Sequence, residues 1–527
     1  MLTHRKVLLM LTVIVSITSV SLVLYSQSVK TRPPKNRVSK ETTYFTKPLR
    51  KDGSIDYVAA LNARARRGVT TEKNAVALIV QVCSREHLTD AVINAYYREL
   101  GIPDTARARR RMLTMDEFAK KVGGAGHEAY AESLEKEYKR TWDGPWARKE
   151  LPKLAAWLDH NKEPLAVFES ASKHPQWYWP IILAGGKRGL LVEMCNSSLL
   201  EMVSVGRALK SRALLAVRES RLDDGIKDLL TCHRLARGAG HGQDSTDAMI
   251  GHAIEFETCE ADIKMLESRK LNQKQLERFA AVLTSLPEMP TRFQRVWPTL
   301  RCMRLQATQF IARNGLDGLL HFGAFDYRHT VPPRNVRALK GSFGLIEWNV
   351  PLKMVNEEFD RIENAMRHPK FRDRQKAVAE LKSRVYRSRA EIWDENLRSK
   401  IRSKLLVDPA KISQKMGALI NWLAVMAHPD LVNKWDAERL TKTRLTQIAV
   451  AVEHYRQAHG RLPEKLTALQ PRFLKSVPHD LYTEKPFVYK THKNNYLIYA
   501  LGPNMKDDGG KRDGEADDVA VRINWKK

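Results

Sequence analysis

From about residue 54 to residue 435, apolar side chains recur every three or four positions, the spacing that gathers them on one face of a helix. DYVAALNARARRG (Asp56–Gly68) and NAVALIVQVCSRE (Asn74–Glu86) set the pattern. ALKSRALLAVRESRLDDGIKDLLTCHRLARGAG (Ala208–Gly240) reads as a helical hairpin. Leu214, Leu215 and Val217 line its first helix; Ile226, Leu229, Leu230 and Leu235 line its second. Asp223 and Asp224 follow the turn at Ser220-Arg221, where carboxylates meet the exposed N–H groups of a helix start. The same period places helices at 243–268, 272–286, 294–313, 351–367, 371–405 and 410–427. Residues 314–348, rich in glycine and proline, read as a surface excursion. Two-helix hairpins that cannot bury their faces alone must stack, so the pattern predicts a mainly α fold. Its architecture is an irregular helical array of degenerate tetratricopeptide-like hairpins.

Both ends depart from this pattern. Val7–Tyr25, VLLMLTVIVSITSVSLVLY, carries no charge and spans about 28 Å as a helix, nearly the hydrocarbon thickness of a bilayer. Residues 1–28 are therefore expected to be a cytoplasmic tip and transmembrane signal anchor, and 29–53 a basic tether. Lys30, Arg32, Lys35, Arg37 and Lys40 would favour a cytoplasmic C-terminal side, but large domains translocate largely regardless of such charge. The expected location is the inner membrane, single-pass, with the main domain (54–435) outside the cytoplasm. At the other end, TRLTQIAVAVEHYRQAHGRLPEKL (Thr443–Leu466) reads as a helix stopping near Gly460. PFVYK (Pro486–Lys490), NYLIYAL (Asn495–Leu501) and VAVRINW (Val519–Trp525) then alternate with period two, as strands do. Residues 436–527 thus form a small α+β module.

The chain of 527 residues carries a formal net charge of +29, which attracts polyanions. Residues 361–405 hold the densest basic strip. Its interspersed acids and helical period give a solvated helix face; phosphate contacts with nucleic acid are the less favoured reading. The five cysteines lie far apart with no CxxC pair, so zinc ribbons and redox dithiols are not expected, and the thiols read as buried.

Against this basic background, YALGPNMKDDGGKRDGEADDVAV (Tyr499–Val521) gathers Asp507, Asp508, Asp513, Glu515, Asp517 and Asp518 among glycines. A hard cation such as calcium takes six to eight oxygen ligands at flexible distances, and glycines let carbonyls turn inward. The EF-hand spacing is absent. The order helix, AHGRLPEKLTAL, FLKSVPHD, PFVYK, YLIYALGPN, GG…DD resembles the C-terminal domain of the type II secretion major pseudopilin. That resemblance implies a calcium ion held by Asp517 and Asp518, with the carbonyl-bearing start of the loop at Leu501 and its successors around Asn504. Asp507 and Asp508 are acids additional to the family's pattern, and Asp508 joins the candidate ligands. Asn504 stands where the family has an aspartate, and Lys511 and Arg512 interrupt the loop. The alternative is a solvated acidic turn. SIDYVAALNARARRGVTTEKNAVALIV, DDGIKDLLTCHRLARGAG and YALGPNMKDDGG together are similar to a family of bacterial membrane-anchored or exported, mainly helical proteins. That likeness implies one architecture from residue 50 onward and supplies no activity.

Other motifs point to packing. LAGGKRGL (Leu183–Leu190) lacks the ending of a phosphate loop, and QWYWP (Gln176–Pro180) reads as an aromatic knot between helices. His252, with Glu255, Glu257 and Glu260 in GHAIEFETCE, offers metal- or proton-handling groups on a helix without a second motif to complete a site. The sequence therefore favours a membrane-anchored envelope scaffold with a protein partner and a calcium-stabilised C-terminal module. An envelope hydrolase with an inter-helix site near His252 is the alternative.

Overall fold

The computed structural model describes residues 37–84, 88–103, 110–183, 189–194, 197–321, 343–393, 408–425 and 429–524. Its elements open with α1 (Lys40–Thr43), α2 (Tyr57–Ala65), α3 (Ala75–Val82), α4 (Asp90–Leu100) and α5 (Met115–Gly123). Next come α6 (His127–Arg140), α7 (Pro152–His160), α8 (Lys162–Ser172), α9 (Ser197–Arg218), α10 (Leu222–Ala239), α11 (Ser245–Glu267) and α12 (Gln273–Ser285). α13 (Arg292–His321) is broken at Gly315, whose φ of 59° is non-helical. α14 (Asn349–Met366), α15 (Phe371–Trp393), α16 (Pro409–Val425) and α17 (Pro429–His459) lead to β1 (Val488–His492), β2 (Asn495–Ala500) and β3 (Val519–Ile523).

The protein is thus mainly helical, with one small antiparallel sheet near its C-terminus. Side-chain caps explain several helix starts. Thr114 with Glu117, Asp244 with Asp247 and Asn272 with Gln275 form reciprocal capping boxes, each satisfying two otherwise unpaired donors. The hairpin turn falls at Ser220, in the left-handed region at φ 62°. Part of the expected excursion is helical: α13 resumes after Gly315 and runs to His321. Residues 322–342, residues 184–188 of the LAGGKRGL turn and the Val7–Tyr25 span lie outside the described residues. Among the described residues, no helix is long and apolar enough to cross a membrane.

The chain divides into two compact units that do not follow chain order. The first comprises the described residues within Met1–Ala65, Ile181–Cys195 and Val296–Asn433. In it α14 packs on α1, α15 and α16. Leu352, Val355, Phe359, Ile362, Phe371, Val378 and Ile420 form its core. The guanidinium of Arg301 lies over the rings of Tyr44 and Phe359 and pairs with Asp360 at 2.5 Å. Within the basic strip, Arg361 pairs with Glu357 and Glu358, Arg367 with Glu363, and Lys382 with Asp430. These three cations of the strip are therefore met inside the unit.

The second unit comprises the described residues within Arg66–Pro180, Asn196–Arg295 and Lys434–Lys527. Its centre is α9, α10 and α11, each packed on the other two. Gly251 on α11 lies so close to α10 that a Cβ there would stand 2.8 Å from the Ala236 carbonyl. Trp179 donates to the Gly238 carbonyl at 3.0 Å, and the Trp177 ring covers the space a Gly238 side chain would need. The aromatic knot is therefore helix packing. The sheet has the order β1-β2-β3, with Tyr489 opposite Ile498 and Ile498 opposite Val521. From Tyr496 to Ala500 the central strand is wholly buried, and Tyr496 donates to the Ala449 carbonyl of α17 at 3.2 Å. Ala449 to Val452 are buried in succession, as in a helix covered on all sides.

Candidate functional site

The densest chemistry in the second unit lies where α10, α11 and α17 meet. His233 on α10 is fully buried between two carboxylates of α11. Its Nδ1 is 2.9 Å from Glu255 Oε2 and its Nε2 is 2.8 Å from Asp262 Oδ2. Glu255 and Asp262 are seven residues apart, two helical turns, and so share a face. Arg237, one turn beyond His233, donates to Glu255 Oε2 at 2.9 Å and to the Pro287 carbonyl at 2.8 Å. Thr443 of α17 donates to Glu255 Oε1 at 2.9 Å.

Electrostatics make this a held proton. Burial alone would lower the pKa of His233, but attraction to Glu255 and Asp262 outweighs it and pushes the value up to about 9. Burial works against ionised Glu255 as well. The charges of His233 and Arg237 win there, holding its carboxyl well below the usual range. For Asp262 burial prevails over the pull of His233, and its pKa is raised. An imidazolium with both ring nitrogens committed to carboxylates is a structural cation.

The acids flanking His252 do not converge with it. Glu257 accepts from the Tyr138 hydroxyl at 2.8 Å and from Lys210 at 3.1 Å, while Lys210 lies 3.8 Å over the Trp142 ring. Glu260 pairs with Lys442 at 2.6 Å, and Lys442 also donates to the Ala520 carbonyl of β3 at 3.0 Å. His252 itself accepts from Arg439 Nε at 3.0 Å and lies 3.3 Å from Asp436. Burial is the main cause holding the His252 pKa below its ordinary value. A helix of this pitch turns residues 252, 255, 257 and 260 toward different neighbours, so one motif becomes four separate anchors.

The acidic loop is organised by its own backbone. Asp518 Oδ2 accepts from the N–H groups of Asp508 at 3.1 Å and Gly510 at 2.8 Å. Asp517 accepts from the Asn504 N–H at 3.1 Å, and Asp508 accepts from the Asn504 side chain at 2.9 Å and the Asp517 N–H at 3.2 Å. Asn504 Oδ1 accepts from the Lys506 N–H at 2.7 Å. The Leu501 N–H donates to buried Asp480 at 3.1 Å, which fixes where the loop begins. Asp518 is 1% exposed and its Oδ1 has no hydrogen-bond partner. Burial, aided by nearby Asp508, pushes its carboxyl up to about 6, and burial likewise raises Asp517. Arg512 pairs with Glu438 of α17.

A buried orphan oxygen and crowded carboxylates on a glycine-rich loop suit a hard cation chemically. Among the described residues, however, no three His, Cys, Asp or Glu side chains converge as a metal cage. Leu501, Asn504, Asp508, Asp517 and Asp518 thus form one hydrogen-bonded loop that would need to turn its oxygens inward around an ion. Cys83, Cys232, Cys259 and Cys302 are buried.

Sequence reasoning named His252 and Glu255 but missed His233, Arg237, Asp262, Asp436, Arg439 and Thr443. The available signal was His233-x-x-x-Arg237 facing Glu255 and Asp262 at seven-residue spacing. Only the tertiary pairing of α10 with α11 makes those spacings meaningful. Compared with protein-family models, curated proteins and solved structures, the chain matches none.

Proposed function

We propose that the protein is a membrane-anchored scaffold of the cell envelope that presents stacked helical hairpins to a protein partner. Its C-terminal module is stabilised by calcium. The observation that carries this reading is the buried His233–Glu255–Asp262 cluster with Thr443, in which the strongest chemical groups join the module's helix to the helical core. Breaking such a network by removing one partner costs about 3–5 kcal/mol, so it fixes one relative placement of the elements it joins. A rigid body suits presentation of a surface. The Val7–Tyr25 span supports the anchor through its length and lack of charge.

Calcium would be held by the carboxylates of Asp508, Asp517 and Asp518, with the Asn504 side chain and the Leu501 carbonyl as neutral donors. The ion supplies positive charge to a loop whose own carboxylates repel one another. Asp480 and Gly502 hold the loop's entry: a Cβ at Gly502 would lie 2.3 Å from the Asp517 carbonyl, so the chain needs glycine there.

The test is cross-linking in intact membranes, followed by purification of the full chain in detergent. A stoichiometric protein partner is expected, reduced by His233→Gln. The hydrolase reading rests on His252 beside Asp436, and a hydrolase screen covers it. Absence of any stoichiometric partner, with a hydrolytic activity removed by His252→Ala, would replace the scaffold reading.

A further inference from the structure

A second cluster lies at the N-terminal ends of α11 and α13, away from the acidic loop and adjoining the His233 cluster through Arg439, whose carbonyl accepts from Thr443 at 3.1 Å. Arg292, the first residue of α13, is 94% buried as a residue (6% exposed). Its guanidinium lies 4.8 Å over the Trp435 ring and makes one long bond, 3.4 Å, from Nη2 to the Ser245 carbonyl in the first turn of α11. Nε and Nη1, on opposite edges of the group, have no acceptor. Beside it stand His252, whose side chain is 17% exposed, and buried Arg439.

Three acids border the cluster. Asp436 accepts from the Arg292 backbone N–H at 3.1 Å and lies 3.3 Å from His252, and its Oδ1 has no hydrogen-bond partner. Asp244 caps α11 through the Thr246 N–H at 3.2 Å, and Asp247 accepts from the Asp244 N–H at 3.0 Å. Arg295 is directed at His241, at 2.8 Å. Two helix N-termini therefore meet with two arginines, and one guanidinium keeps unmet donors on both edges. A buried guanidinium short of acceptors is costly, and planar N–H forks match oxyanions. Helix starts add positive potential at the same place.

We infer that Arg292, with His252 and Arg439 beside it, forms a binding site for a small oxyanion of the phosphate or carboxylate class. Trp435 holds the guanidinium plane and keeps one of its faces dry. The partly exposed edge of His252 gives the anion its route in. This site does not depend on the scaffold role.

The experiment titrates the full chain in detergent with sodium phosphate and, separately, sodium acetate, by calorimetry and thermal melting. Sodium chloride at matched ionic strength is the control. Saturable one-site binding of phosphate or acetate is expected, with the stronger of the two identifying the class. Arg292→Met should weaken it at least tenfold. Arg292→Lys, which keeps the charge but loses the fork, should also weaken it severalfold and serves if Arg292→Met does not fold. A response equalled by chloride, no binding of either oxyanion, or an unchanged dissociation constant in a folded variant would each overturn the proposal.

Discussion

His233 shows how a single residue sets the behaviour of its surroundings. Its folded pKa, about 9, lies above the ordinary value of 6.5. The stability it contributes is therefore complete below pH 6.5 and is lost as pH rises through about 9. Glu255 is depressed, so its contribution is present above its ordinary value of 4.5 and fades as pH falls far below it. Raised Asp262 opposes folding at neutral pH and relaxes in acid. Chemical denaturation across pH should show stability declining between pH 6.5 and 9 in the parent, and a flatter profile there in His233→Gln. Equal slopes would mean that His233 is neutral in the folded protein. His233→Ala, which strands two buried carboxylates, should cost about 3–5 kcal/mol at pH 7. Gly238→Ala must displace the Trp177 ring and should cost about 1–3 kcal/mol, read from the same denaturation curves.

At the scale of elements, the loop between β2 and β3 is the part most open to experiment. If calcium binds the folded loop and not the unfolded chain, a free concentration one hundred times the dissociation constant stabilises by about 2.7 kcal/mol. That corresponds to a rise of several degrees in Tm for a unit of this size. Asp517→Ala/Asp518→Ala should abolish the calcium response in the full chain, and magnesium should substitute poorly because it keeps its waters. Identical melts in calcium, magnesium and chelator would leave a loop satisfied by its own N–H groups. Helices and strands were legible in the sequence because their signals are local. The period of α10 and α11, the boxes at Asp244 and Asn272, and the alternation of β2 all reside in contiguous residues. The engagements of Glu255, Glu257 and Glu260 were not legible, since each depends on which helix lies opposite. The loop's acids were visible as a cluster, but their capture by the N–H groups of Asn504, Asp508 and Gly510 depends on φ and ψ values that composition does not encode.

For the whole molecule, anchoring and cooperativity are the two properties at stake. The Val7–Tyr25 span predicts that the intact protein sediments with membranes and resists carbonate extraction; release by carbonate would remove the anchor. Within the second unit, Thr443 on Glu255, and Lys442 bridging Glu260 and Ala520, bind the C-terminal sheet and its helix to α11. Buried charge is then architecture, and the module should not open independently. Native-state hydrogen exchange on the full chain in detergent, comparing the parent with His233→Gln, tests this most directly. Slowly exchanging amides of α10, α11 and β2 should share one opening free energy in the parent, and all should fall together in the variant. Protection of β2 retained while α10 and α11 lose theirs, or protection unchanged throughout, would contradict it.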